Sequence, residues 1–98
     1  MTRKQLDDAT IAAELTELSG WQRDGHKLCN EFKFGSFSEA FGFMTSVALV
    51  AERLDHHPEW FNVYNRVKVE LTTHDAGGIS GLDFQLAREI DRLAQRFA

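Results

Sequence analysis

The chain has 98 residues, and its 11 lysines and arginines against 15 aspartates and glutamates give a formal net charge of −4. That length suits one small domain and is too short for two, so we expect residues 1–98 to form a single domain. An acidic surface is a poor electrostatic match to phosphate backbones, which argues against direct binding to nucleic acid.

The cysteine content and the apolar runs narrow the class of protein further. Cys29 is the sole cysteine, so neither an intrachain disulfide nor a Cys-rich zinc site is available. The N-terminal sequence "MTRKQLDDAT" lacks a signal-peptide pattern, and no stretch approaches about 18 consecutive apolar residues. We therefore expect a cytoplasmic protein that has no membrane segment.

The first predicted element is a short helix over about residues 8–18. Ile11, Leu15 and Leu18 recur at helical spacing, and Gly20 is a reasonable stop. From Trp21 onward the period changes to strand alternation around Asp24-Gly25, a hairpin-turn signal. This pattern predicts two antiparallel strands up to residue 34, with Phe32 and Phe34 facing the core.

The longest periodic segment predicts a second helix. Ser36 or Ser38 can cap its start, and Ser36 and Glu39 have capping-box spacing. Pro58 disfavours helical geometry at the residue before it, so we expect the helix to end at about His56 or His57. Its predicted apolar face consists of Phe37, Phe41, Met44, Val47, Ala48, Ala51 and Leu54.

A second hairpin and a last helix complete the chain. Strands are predicted over 61–64 and 67–73, with a turn near Asn65-Arg66. The last helix has a stripe that consists of Leu82, Leu86, Ile90, Leu93 and Phe97. The order α-β-β-α-β-β-α predicts a two-layer α+β fold, in which helices cover one face of a four-stranded antiparallel sheet.

The segment "ERLDHHPEW" at residues 52–60 holds two adjacent histidines just before the only proline. A zinc site needs three or four converging ligands, and neighbouring helical residues point about 100° apart. Glu52 and His56 are four residues apart and can meet on one helical face, whereas His57 points elsewhere. Metal binding is therefore disfavoured in this segment.

Acid–base chemistry fits these histidines better. Histidine exchanges protons near neutral pH, and the end of a helix carries partial negative charge that favours imidazolium. His74, predicted at the end of the last strand, can approach the same region, and Trp60 can stack on a planar ligand. Simpler roles remain open at this point: helix capping for the histidines and for Asp83, and core packing for Trp60.

The spacing of these polar residues resembles that of a known family, the pterin-4a-carbinolamine dehydratases, also called dimerization cofactor of a homeodomain transcription factor. The family pattern is an acidic residue, then His-His-Pro, an aromatic residue, a further His and a downstream Asp. This chain matches the pattern at Glu52, His56-His57-Pro58, Tyr64, His74 and Asp83, and the similarity covers about residues 8–97.

The resemblance implies dehydration of 4a-hydroxytetrahydropterin to quinonoid dihydropterin and water, without a metal or other cofactor. The reaction needs a proton for the leaving hydroxyl and a base for the N5 proton. By the same resemblance His56, His57 and His74 are the catalytic cluster, with His57 and His74 as first choices for proton transfer. The residues implied in orienting this cluster, shaping the pocket or contacting the pterin are Glu52, Asp55, Pro58, Trp60, Thr72, Thr73, Asp75 and Asp83.

The resemblance also implies partners and rival functions. Family members form dimers or tetramers, and a chain of this size buries only about 60–65% of its unfolded surface, so a homodimer or homotetramer is expected. The pathway implied is pterin recycling after aromatic amino-acid hydroxylation. The alternatives are a non-catalytic module that binds a transcription partner, and a related pterin role in molybdenum-cofactor metabolism.

Overall fold

The computed structural model describes residues 3–97 and contains three α-helices and four strands in the predicted order. The helices are α1 (Asp8–Leu15), α2 (Phe37–Leu54) and α3 (Gly81–Gln95), and a single 3₁₀ turn covers His74–Ala76. The strands are β1 (Gln22–Asp24), β2 (Lys27–Lys33), β3 (Glu59–Val63) and β4 (Arg66–Leu71). None of the helices in this described part of the chain has the length and hydropathy needed to cross a membrane.

The four strands form one antiparallel sheet in the order β1-β2-β4-β3. Val67, Val69 and Leu71 of β4 point to one face and are fully buried in the core. Leu28 on β2 pairs with Leu71, and Trp60 on β3 pairs with Val69, so both share this covered face. The helices pack here, which confirms the predicted two-layer α+β fold.

The first helix is shorter than predicted. The carboxylate of Asp7 accepts a hydrogen bond from the backbone N–H of Thr10 at 2.8 Å and caps its start. The helix ends at Leu15, and the chain continues through turns to Leu18, which is still buried. Leu18 therefore lies in the core although it is outside the helix, and its helical spacing made the predicted helix too long.

The predicted apolar face of α2 is partly wrong. Phe37 and Phe41 are 51% and 55% exposed, whereas Ala40, Phe43 and Val50 are buried. The helix carries apolar residues around most of its circumference, so two overlapping stripes satisfy the helical period. The sheet and α3 cover the stripe that runs through residues 40, 43, 47 and 50.

The C-terminal end of α2 also differs from the prediction, and this end positions the candidate site. The helix stops at Leu54, and Asp55 takes a left-handed conformation with φ 52°. The backbone N–H groups of Asp55 and His56 donate to Glu52 O at 3.2 Å and Ala51 O at 3.0 Å, the two bonds of a Schellman motif. The chain therefore turns sharply before the two histidines rather than after them.

Candidate active site

A pocket of about 340 Å³ opens where the end of α2 meets the end of β4. Seven of the predicted site residues line it: Asp55, His56, His57, Pro58, Thr72, His74 and Asp75. Two residues that the sequence did not single out, Arg3 and Glu59, line it as well. The reversal at Asp55 and the 3₁₀ turn at His74 bring the three predicted histidines to one cavity.

His56 is the buried member of the trio, with only 5% of its surface exposed. Its Nε2 lies 2.5 Å from Oδ1 of Asp83, a carboxylate that is fully buried at the start of α3. Burial of a carboxylate is costly unless its oxygens are satisfied. His56 is therefore fixed in place, and its partner is a residue 27 positions along the chain.

The other oxygen of Asp83 is held equally well. Oδ2 accepts from the Thr73 hydroxyl at 2.8 Å and from the Ser80 backbone N–H at 2.9 Å. The Ser80 side chain accepts from the Leu82 N–H at 3.2 Å and also from the backbone N–H of Asp83. The reciprocal bonds between Ser80 and Asp83 form a capping box at the start of α3. Asp83 therefore caps α3 through one oxygen and faces the His56 imidazole with the other.

His57 has a different partner from the one predicted. Its Nε2 lies 2.8 Å from Oε1 of Glu52, whereas the helical spacing predicted that Glu52 meets His56. The left-handed residue Asp55 explains the correction, because it ends helical geometry before either histidine. His57 remains exposed, and its side chain borders the pocket.

His74 lies on the opposite wall with 82% of its side chain exposed. Its Nε2 is 3.3 Å from Oε2 of Glu59, and the other oxygen of Glu59 accepts from Lys27 Nζ at 2.7 Å. The hydrogen bond from Lys27 is the main reason that the pKa of Glu59 lies below its usual value. Glu59 is therefore a stable anion beside the pocket.

Four predicted residues are not at the pocket surface. Glu52 is paired with His57, and Thr73 and Asp83 are buried behind His56. Trp60 points to the covered face of the sheet, where it packs against the hydrophobic core. These positions do not match the prediction that Trp60 stacks on a ligand or the prediction that Thr73 contacts it. The position of Trp60 matches the alternative role, core packing.

Arg3 and Glu59 were missed for different reasons. Arg3 lies in an N-terminal segment that is held by a hydrogen bond from the Leu6 N–H to Ile79 O at 2.9 Å. The Arg3 guanidinium donates to the carbonyl of Asp55. No local pattern predicts that long-range contact. The sequence did contain a signal for Glu59. It follows Pro58 directly, and strand alternation places it on the face opposite to Trp60, which faces the core.

The arrangement suits proton transfer. His57 and His74 are exposed to the same cavity, and each has a carboxylate at Nε2, which leaves a second ring nitrogen to exchange protons. Among residues 3–97, no cluster of three His, Cys, Asp or Glu side chains has the geometry of a metal site. The chemistry that these residues can supply is general acid and general base catalysis.

Comparison with known proteins gives a consistent result. The family model described as pterin 4 alpha carbinolamine dehydratase matches residues 4–93. A relative from Rhizobium johnstonii is 54% identical, and the match spans 98% of this chain and 97% of that protein. One from Solibacter usitatus is 56% identical over 96% of this chain and 98% of that protein. Both carry the provisional name pterin-4-alpha-carbinolamine dehydratase.

A solved structure is similar over nearly the whole chain. It is the transcriptional coactivator/pterin dehydratase from Brucella melitensis, with a TM-score of 0.90 and 46% sequence identity. The match covers 93% of this chain and 99% of that one. The fold and the sequence therefore point to the same group of proteins.

Proposed function

Because the chain belongs to the pterin 4-alpha-carbinolamine dehydratase family, we propose that it dehydrates 4a-hydroxytetrahydropterin to quinonoid dihydropterin and water. The observation that carries the proposal is the placement of His57 and His74 at one cavity. A dehydration needs one group that gives a proton and one that takes it, and the imidazole side chain can do either.

The reaction balances with these two groups. One imidazolium donates a proton to the hydroxyl at C4a as the C–O bond breaks, and water leaves. The other imidazole accepts the proton from N5 as the C4a=N5 double bond forms. No electron leaves or enters the substrate, so the step requires neither an oxidant nor a reductant.

The remaining residues have supporting roles in this proposal. Asp83 holds His56, which forms the buried wall of the pocket, and Glu52 orients His57. Asp55, Pro58, Thr72 and Asp75 line the cavity and are placed to contact the pterin. Trp60 and Thr73 support the pocket from behind without touching the ligand.

We further propose that the protein recycles pterin after aromatic amino-acid hydroxylation and acts as a homodimer or homotetramer in the cytoplasm. Family membership supports the pterin substrate, and exposed apolar residues support self-association. Phe37 and Phe41 on α2, together with Phe61 and Tyr64 at the β3 edge, are the relevant surface residues.

Loss of either exposed histidine is expected to abolish most of the activity. His57→Ala and His74→Ala should each lower the dehydration rate about 10²–10⁴-fold if each supplies acid–base catalysis. The measurement is the decay of freshly generated 4a-carbinolamine, followed by ultraviolet absorbance with and without the protein.

His26→Ala is the matched control, because His26 is exposed in the β1–β2 turn and does not line the pocket. It should retain the wild-type rate. Rates within a few-fold of wild type for both His57→Ala and His74→Ala would reject the mechanism.

A second candidate function is a partner-binding module. It is favoured by the similar Brucella melitensis protein, whose name joins transcriptional coactivator to pterin dehydratase. A wild-type protein that does not accelerate carbinolamine decay would favour this role. Activity only on a differently substituted pterin would favour the molybdenum-cofactor alternative.

A further inference from the structure

We propose that Glu59, held by Lys27, is a positioning residue that sets which ring nitrogen of His74 exchanges protons in the pocket. The inference rests on the proposed dehydration, because it concerns a histidine assigned to that reaction. It extends the site to two residues that lie outside the family pattern quoted above.

The two oxygens of Glu59 face two different partners. Oε1 accepts from Lys27 Nζ at 2.7 Å, and Oε2 lies 3.3 Å from Nε2 of His74. A carboxylate is flat, so fixing one oxygen restricts where the other can point. The ion pair with Lys27 therefore aims the second oxygen at the imidazole.

The positions of these residues in the sheet make the restraint a long-range one. Glu59 begins β3 at the edge, and Lys27 begins β2 on the far side of β4. The pair spans the end of β4 on the open face, close to where the chain enters the turn at His74. The sheet thus fixes both anchors, while His74 stands on a short 3₁₀ turn.

His74 needs such a restraint more than the other two histidines do. Its side chain is largely exposed, and immobilising a free side chain costs conformational entropy. His56 is held by Asp83 within the core, and His57 is held by Glu52. In all three cases a carboxylate faces Nε2, so Glu59 gives His74 the same arrangement.

The chemical consequence concerns the tautomer. A carboxylate can only accept, so the neutral imidazole of His74 places its proton on Nε2 and leaves the lone pair on Nδ1. Nδ1 is then the atom that takes a proton from the substrate or returns one. The 3.3 Å between Nε2 of His74 and Oε2 of Glu59 places the carboxylate within reach of that Nε2 proton.

Glu59→Gln tests the proposal, because Lys27 constrains how the new amide can lie. The Lys27 ammonium can only donate, so the amide oxygen rather than the NH₂ faces Lys27, and the NH₂ turns to His74. The NH₂ needs an acceptor at Nε2, which moves the imidazole proton to Nδ1. We expect a reversed tautomer and a kcat about 10-fold lower, with KM within about twofold of wild type.

The tautomer is measured by ¹⁵N NMR of histidine-labelled protein at about pH 8, where an ordinary imidazole is neutral. His74 is assigned with the His74→Ala variant. The double variant Lys27→Met/Glu59→Gln frees the amide to turn its oxygen to His74. It should restore the Nε2–H tautomer and recover most of the lost kcat, which a merely structural role would not do.

Glu70→Gln is the matched control. Glu70 also approaches Lys27, at 3.9 Å, but its carboxylate is not paired with His74. It should keep the wild-type tautomer and kcat. Equal effects of Glu59→Gln and Glu70→Gln, or an unchanged His74 tautomer in Glu59→Gln, would overturn the positioning role.

The test separates this inference from the proposed function. An inactive wild type would remove the dehydration, whereas the NMR measurement would still decide whether Glu59 sets the tautomer. An active wild type with an unaffected Glu59→Gln variant would remove the positioning role alone.

Discussion

Asp91 shows how a single side chain outside the candidate site can carry a pH dependence. It is half-buried on α3, and its Oδ1 accepts from Nε1 of Trp21 at 2.9 Å. Burial raises the pKa of this carboxyl group, and the bond from Trp21 opposes that effect only in part. The folded state therefore binds the proton more tightly than the unfolded state does.

The sign of the resulting effect on stability follows from linkage. An acid whose pKa is raised by folding favours the folded state at low pH, because that state then holds the extra proton. Stability is lost as the pH rises from the unfolded pKa of 3.8 through the raised folded pKa, and above that value the loss is complete. At neutral pH, Asp91 is a buried charge that weakens the fold.

Asp91→Asn should therefore raise the melting temperature at pH 7. The amide oxygen still accepts from Trp21, and the charge is removed. The gain should shrink as the pH falls and should vanish below about pH 3.8, where Asp91 is protonated in both states. Thermal unfolding between pH 3 and pH 8, with exposed Asp24→Asn as control, measures it. A gain that is independent of pH would contradict this account.

Asp83 illustrates what residue patterns could and could not predict. The spacing Ser80-x-x-Asp83 predicts a capping box, and the family resemblance implies that Asp83 orients the catalytic cluster. The structure confirms the capping box and places the other oxygen of Asp83 against His56, while the orienting role stays a prediction. Whether Asp83 meets His56 or His57 depends on the chain reversal at Asp55, and the spacing between two residues in the sequence does not predict that reversal.

At the scale of elements, the end of α2 is the decisive feature. Pro58 predicts that α2 ends no later than His57, but the helix ends three residues earlier, at Leu54. Two Schellman bonds satisfy the terminal carbonyls, and they require a left-handed residue at position 55. The usual residue there is glycine, because a Cβ is strained in that conformation.

A pair of substitutions at Asp55 isolates this strain. Asp55→Gly should be more stable than Asp55→Ala by about 0.5–1 kcal/mol, because glycine relieves the left-handed strain but loses more entropy on folding. Both variants lack the carboxylate, so the exposed ion pair with Arg3 is absent from each. Urea denaturation at neutral pH gives the comparison, and an alanine variant as stable as the glycine variant would refute it.

The strands were predicted more closely than the helix faces. The strand predicted over 67–73 runs over Arg66–Leu71, so Thr73 is buried just beyond its end. Val67, Val69 and Leu71 alternate along β4 and are buried, because a strand period of two allows only two choices of face. Leu82, Leu86, Ile90 and Leu93 of the predicted α3 stripe are buried as expected, whereas Phe97 lies beyond the end of α3 and is half-buried. The stripe on α2 was ambiguous because apolar residues occur on more than one side.

Within residues 3–97, large apolar side chains are exposed in two regions of the molecule. On α2, Phe37 and Phe41 have ring centroids 5.9 Å apart, and Leu49 further along the helix is 69% exposed. At the sheet edge, β3 exposes Phe61 and Val63. A small domain with contiguous exposed aromatic residues is expected to cover them with another chain.

If α2 forms a contact between copies, Phe41→Glu should lower the apparent molecular mass. A charge placed in an apolar interface is costly to desolvate, whereas in the isolated chain Phe41 is exposed and its loss leaves the core intact. Sedimentation equilibrium measures the mass, and circular dichroism checks the fold. Gln22→Glu adds the same charge to the exposed strand β1 and should leave the mass unchanged. An unchanged mass for Phe41→Glu would exclude α2 as that contact.

The order of elements and the two-layer architecture could be predicted from periodicity, turn residues and local spacing, because these act over a few neighbouring residues. The set of candidate site residues depended on the family resemblance as well as on the spacing of the histidines. The pairing of each carboxylate with its histidine, and the presence of Arg3, Glu59 and Lys27 in the same region, became visible in the tertiary structure alone. These pairings join residues far apart in the chain, and they depend on one left-handed residue and on the register of the sheet.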